Sequence, residues 1–148
     1  MIERWREWIA AFDQAVESGE WDRLEPFLDP DVTYTVSGVP FACSLKGRDA
    51  VIAGFAKSIG NFDKHFDARE WFGVGVREFE PDTITGRAMA VYRQGGQPVL
   101  QVSAPTVWRF QGDRLTAMHD MYDVTEADIQ AALVWLSENA PELDASYQ

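Results

Sequence analysis

The chain has 148 residues, the size of one domain able to bury about 70% of its unfolded surface. Hydrophobic residues make up 46% of it, with six Trp and nine Phe, which excludes a disordered chain and predicts an aromatic interior. Its 24 acidic and 13 basic side chains leave a net charge of −11, which argues against a nucleic-acid or anionic-membrane partner. Cys43 is the single cysteine, so there is no intrachain disulfide and no cysteine-rich metal site, and its thiol beside Phe41 and Ala42 reads as a small buried apolar group. Glu3, Arg4, Arg6 and Glu7 leave no apolar leader at the start, and no stretch approaches the ~18 apolar residues of a membrane span. A reducing cytoplasm is the expected setting.

Trp5, Trp8, Ile9, Phe12 and Val16 recur at helical spacing over residues 2–17, and Gly19 is placed to end that helix. Glu20 to Leu28 predicts a short second helix, broken by Asp29-Pro30-Asp31. Val32, Tyr34 and Val36 alternate with Thr33, Thr35 and Ser37 as a strand. Gly38 to Lys46 reads as a loop near a pocket mouth, its path set by Gly38 and Pro40. Val51, Ile52, Phe55 and Ile59 define a third helix from Arg48, stopped at Gly60-Asn61. Four strands follow, 66–79, 83–93, 98–111 and 114–123. The turns between them carry hairpin chemistry, so the strands form an antiparallel meander. Gly73, Gly75 and Gly86 are positioned to let that sheet bend. A last helix runs from Thr125, as N-cap, to Asn139, and residues 141–148 read as a flexible tail after a single domain over 1–140.

The succession from Ser18 to Asp49, ending in Gly47-Arg48-Asp49, together with the order ααβαββββα, resembles the NTF2-like superfamily. The closest likeness is to its SnoaL-like (polyketide cyclase-like) and ketosteroid-isomerase-like branches. The resemblance implies an α+β cone: a curved antiparallel sheet, three N-terminal helices and a C-terminal helix around one pocket. It also implies a homodimer formed through the outer sheet face. Arg69, Trp71, Arg93 and Gln101 are the expected dimer-face residues.

Alternation along the last strand puts Thr116, Met118, Asp120 and Tyr122 on one face, and Leu115, Ala117, His119, Met121 and Asp123 on the other. The segment Arg114 to Asp123 resembles the last strand of SnoaL-like cyclases and of limonene-epoxide-hydrolase-like enzymes, where a pocket carboxylate is the acid or base. Asp120 falls at that place. The structural alternative is that Asp120 simply hydrogen-bonds Tyr34 or a backbone amide. Tyr34, Tyr122, Trp108, Thr106, Met118, Phe12, Phe41 and Phe55 complete the expected substrate wall. Phe41 is placed at the mouth.

Phe12, Thr106 and Val36 stand where ketosteroid isomerases carry polar groups, which rules against that mechanism. Arg87-Ala88-Met89 keeps the Arg but not the Asp of the epoxide-hydrolase pair. His119 is expected to face away from the pocket, and His65 to be a solvated loop residue. Two His without regular spacing to carboxylates give no metal signature, and no cofactor is implied. Two functions remain open. One is a cofactor-independent cyclase, isomerase or hydratase acting on a small hydrophobic carbonyl compound. The other is a non-catalytic binding protein. A transport adaptor has only the shared fold behind it.

Overall fold

The computed structural model describes residues 1–38 and 41–148. Pro40, expected to help set the mouth loop, lies outside them. The first helix, α1, is Ile2–Ser18. It ends at Gly19, whose left-handed backbone (φ 75°) lets its N–H return to the Ala15 carbonyl. The second helix is a 3-10 helix over Trp21–Phe27, with Pro26 inside it. β1 (Leu28–Ser37) follows at once, and β2 (Cys43–Lys46) forms where a loop is expected, because Val36 pairs with Cys43 and Thr33 with Lys46. α2 runs through Gly60-Asn61 to Asp63. An isolated Gly costs a helix only about 1 kcal/mol, and Phe62, buried in a second core cluster, carries the helix past it.

β3 (Ala68–Glu78), β4 (Thr83–Gln94), β5 (Gln97–Gln111) and β6 (Arg114–Met121) form the expected meander. The six strands lie in the order β2-β1-β6-β5-β4-β3. One pair departs from the antiparallel expectation: β1 and β6 run parallel, with Val36 opposite Asp120. The closing helix, α3 (Ala127–Asn139), starts after Glu126, not at Thr125. Thr125 instead donates its N–H and hydroxyl to the Asp123 carboxylate. No helix is long and apolar enough to cross a membrane, among the described residues.

The three sheet glycines act differently. Gly75 takes a φ of 61° inside the register shift between Val74 and Arg77 and is the bend. Gly73 instead makes room for α1, since a Cβ there would sit 2.9 Å from the Trp5 ring.

Two apolar clusters hold the fold together. One joins α1, the 3-10 helix, β1 and α2 through Trp5, Trp8, Leu24, Leu28, Val32 and Phe55. The other joins the end of α2, the hairpin end of β4 and β5, and α3 through Phe62, Phe66, Tyr92, Leu100 and Ile129. His65, expected in solvent, stands edge-on to Phe66 and Trp135.

A second correction concerns β6. Leu115, assigned by alternation to the outer face, is fully buried. Phe110 pairs with Leu115 while Arg109 pairs with Ala117, so Thr116 is an extra residue in the ladder. That bulge turns Leu115 inward below Met118 and Asp120.

Residues 141–148, expected as a flexible tail, are docked. Ser58 Oγ donates to the Ala145 carbonyl at 2.6 Å, and Lys57 Nζ donates to Ser146 Oγ at 3.0 Å. Tyr147 thereby reaches the concave side of the sheet, against Tyr34.

Candidate functional site

The concave side holds a half-open cavity of about 130 Å³. Its walls are aromatic: Trp8 and Phe12 from α1, Tyr34 from β1, Phe55 from α2, Trp71 from β3 and Trp108 from β5. Asp120, Tyr122, Met118 and Tyr147 also line it. The rings interlock edge to face, Phe55 meeting Phe12 at 5.2 Å and Tyr34 at 4.9 Å between centroids.

Strand pairing aims Asp120 into this space. Its neighbours across the sheet are Val36 on β1 and Thr106 on β5, the two positions where ketosteroid isomerases would carry polar groups. Thr106 Oγ1 donates to Asp120 Oδ1 at 2.6 Å, and Tyr34 Oη donates to Asp120 Oδ2 at 2.7 Å. A tyrosine has one hydroxyl proton. With that proton on Asp120, the 3.4 Å contact between Tyr34 and Tyr147 hydroxyls is donated by Tyr147. The chain of donors thus runs from Tyr147 through Tyr34 to Asp120.

Burial pushes the Asp120 carboxyl above its ordinary value, and the Thr106 and Tyr34 hydrogen bonds pull it part of the way back. Its surface is open to the cavity only in part, and protein surrounds it. Burial and the nearby Asp120 charge hold the hydroxyls of Tyr34 and Tyr122 well above the usual tyrosine range, so both remain donors at neutral pH. His119, the next residue, contacts Ser37 Oγ at 3.0 Å through Nε2 and is absent from the cavity wall.

Seven of the nine expected site residues therefore line the cavity: Asp120, Tyr34, Tyr122, Trp108, Met118, Phe12 and Phe55. Thr106 sits one layer behind, holding Asp120. Phe41 does not cap the cavity: it stacks on Tyr122 at 5.0 Å and lines a separate surface groove with Phe62 and Leu133. The Gly38 backbone (φ 95°) also packs on Tyr122, so close to its carbonyl that a Cβ would collide with it.

Arg69 and Trp71, expected on a dimer face, line the cavity instead. Trp71 turns inward to meet Trp5 at 6.2 Å, which sets the phase of this half of β3. Arg69 is nine-tenths buried, with Nε 3.1 Å from Asp63 and Nη2 3.2 Å from Asp13. Burial raises the Asp63 carboxyl, and the Arg69 guanidinium and Tyr92 hydroxyl oppose that rise. Arg87 makes a two-point ion pair with Glu126 and is not a cavity residue. Among the described residues no three His, Cys, Asp or Glu side chains converge as a metal site.

The model of the SnoaL-like domain matches residues 6–118. The chain belongs to the SnoaL-like family. This SnoaL-like chain has NTF2-like architecture, as its structural neighbours show. Bal32a from a soil-derived mobile gene cassette is 22% identical, with 85% of this chain and 95% of that one covered at a TM-score of 0.63. An NTF2-like protein with a cystatin-like fold from Novosphingobium aromaticivorans is 23% identical, with 90% and 87% covered at 0.59. An LEH-like epoxide hydrolase from Mycobacterium tuberculosis is 18% identical, with 88% and 90% covered at 0.57. At such identities the likeness carries the fold alone. No curated protein matches the chain. In this SnoaL-like domain Asp120 and Tyr147 both lie beyond the last matched residue, Met118, although Asp120 is on the same strand.

Proposed function

We propose that this SnoaL-like domain is a cofactor-independent acid–base enzyme, a cyclase, isomerase or hydratase, acting on a small hydrophobic carbonyl-bearing substrate. The observation that carries the reading is Asp120: a carboxyl in the wall of an aromatic cavity, raised by burial, whose bonded partners are two neutral hydroxyls. Such a group exchanges protons nearer neutrality than an exposed Asp does. As carboxylate, Asp120 takes a proton from carbon next to the substrate carbonyl. As carboxylic acid, it returns that proton at another atom. Tyr122 orients the carbonyl oxygen by donating to it, Tyr34 orients the substrate through the Asp120 carboxyl it holds, and Trp108, Met118, Phe12 and Phe55 hold the apolar body. Thr106 positions the carboxyl.

Asp120→Asn tests the reading. Turnover lost with binding kept supports it, and unchanged turnover overturns it. The second reading, a non-catalytic binding protein, draws support from the same network, because both Asp120 oxygens are already hydrogen-bonded. A wild-type protein that binds small ketones but never turns one over would favour that reading.

The partner expected beside the ligand is a second copy of this chain. Phe72 and Val74 alternate with inward Trp71 on β3 and stand exposed, at 44% and 47%, which supports contact through the outer face. A light-scattering mass of one chain in solution would remove that expectation. The free, buried Cys43 fits residence in a reducing cytoplasm.

A further inference from the structure

We propose that Tyr147 is the specificity-determining residue of the cavity, restricting it to single-ring ligands. The inference rests on the cavity being a binding site, as argued above. It adds the ligand's size class and the residue that sets it.

The first support is volume. The half-open space is about 130 Å³, and a cavity of about 150 Å³ takes one benzene, so one ring fills it and a small acyl group extends toward the opening. A second fused ring therefore has no room within the walls while every one of them is in place. The second support is what that wall is made of. Most of the cavity lining belongs to helices or to the sheet, whose removal would dismantle the fold. Tyr147 comes instead from the segment 141–148, outside any helix or strand. Its own phenol is one ring in size, standing edge-on to Tyr34 at 5.4 Å.

The third support is that the segment is seated by fitted contacts. Gly54 of α2 faces it, and a Cβ there would stand 2.5 Å from Leu45 Cδ1 and 3.3 Å from the Tyr147 carbonyl. Ser58 bonds the Ala145 carbonyl, and Leu143 and Ala145 pack on the second core cluster. Tyr147 thus ends a short strap fastened at several points, with only its side chain inserted in the cavity wall. Its hydroxyl, held protonated by burial, is also the donor that satisfies Tyr34 while Tyr34 donates to Asp120.

The test uses two methyl ketones of different size, acetophenone and 2-acetonaphthone. Binding to the full-length protein is measured by calorimetry, with thermal melts as the folding control. Wild type is expected to bind acetophenone at least tenfold more tightly than 2-acetonaphthone. Tyr147→Ala, which removes the ring, should bring the larger ketone to equal or tighter binding. Tyr147→Phe, which keeps the ring, should retain the wild-type order. Ser58→Ala, which loosens the strap by removing the bond to the Ala145 carbonyl while keeping the Tyr147 ring, should shift the ratio in the Tyr147→Ala direction by less. If acetophenone binds and Tyr147→Ala leaves the ratio unchanged, this inference fails while the Asp120 reading stands. If wild type and both Tyr147 variants bind neither ketone, both fall together.

Discussion

Two carboxyls with raised proton affinity stand differently to the cavity: Asp120 lines it, whereas Asp63 lies behind the lining residue Arg69, and their partners differ. Asp120 on β6 is held by neutral hydroxyls from Thr106 and Tyr34. Asp63 at the end of α2 lies 3.1 Å from the Arg69 guanidinium, which also serves Asp13. Burial raises both carboxyls. At Asp63, however, protonation would leave the buried Arg69 charge with less compensation, so the ion pair resists it. At Asp120 neither protonation state strands a fixed charge among its hydrogen-bond partners. The lesson is that burial alone does not make a proton-transfer group: the same desolvation meets a counter-charge at Asp63, behind the wall, and only neutral hydroxyls at Asp120, within it.

The sharpest way to break this comparison is to make both carboxyls amides. Asp120→Asn should lower turnover by about 10²–10⁴-fold, the usual worth of a positioned acid or base, with ligand affinity nearly unchanged. Asp63→Asn should leave the chemical step within a few-fold and act on stability instead. Equal losses of turnover in the two variants would erase the distinction.

Removing the cation is the next largest effect. Arg69→Met leaves Asp63 buried without its counter-charge and should cost about 3–5 kcal/mol in denaturant unfolding. An Arg69→Met protein as stable as wild type would mean that the ion pair contributes nothing to this wall.

Tyr34→Phe removes one donor from Asp120 and should cost about 1–3 kcal/mol. It should also move the Asp120 titration, and any activity limb that follows it, further upward, because the charged form loses a hydrogen bond. A downward shift would contradict the donor assignment.

The smallest expected effect is on stability against pH. Asp120 binds its proton more tightly folded than unfolded. Its stabilising contribution is therefore complete below the ordinary value of 3.8 and is lost as pH rises through the higher folded value. Asp120→Asn should flatten that part of the wild-type curve. Asp13 and Asp63, also raised, should keep the remaining slope of the same sign.

How much of this was legible in the chain follows from which forces are local. Helical spacing and hairpin turns are local, and they place the helices and the four-strand meander, along with the inward set Met118, Asp120 and Tyr122, but not β2 or the true end of α2. Parity across a bulge is not local. Leu115 turns inward because one extra residue, Thr116, enters the ladder against β5. Arg69 and Trp71 turn inward because Trp5, far away in sequence, packs on Trp71 and over Gly73. Phe41 packs on Tyr122, a residue far away in sequence, and not over the cavity. The Tyr147 strap carries no periodicity at all. One trace in the sequence is a small residue, Gly54, on a distant helix, crowded by Leu45 and by the Tyr147 carbonyl together.

The most direct measurement is a ¹³C NMR titration of the Asp120 carboxyl between about pH 3 and pH 9, with Asp120→Asn to assign the signal. The account predicts a midpoint clearly above the ordinary aspartate value of 3.8, and above that of exposed Asp123, which its bonds to Thr125 hold low. A midpoint at or below the ordinary value would mark a solvated or ion-paired carboxylate and contradict the acid–base reading, leaving the binding protein.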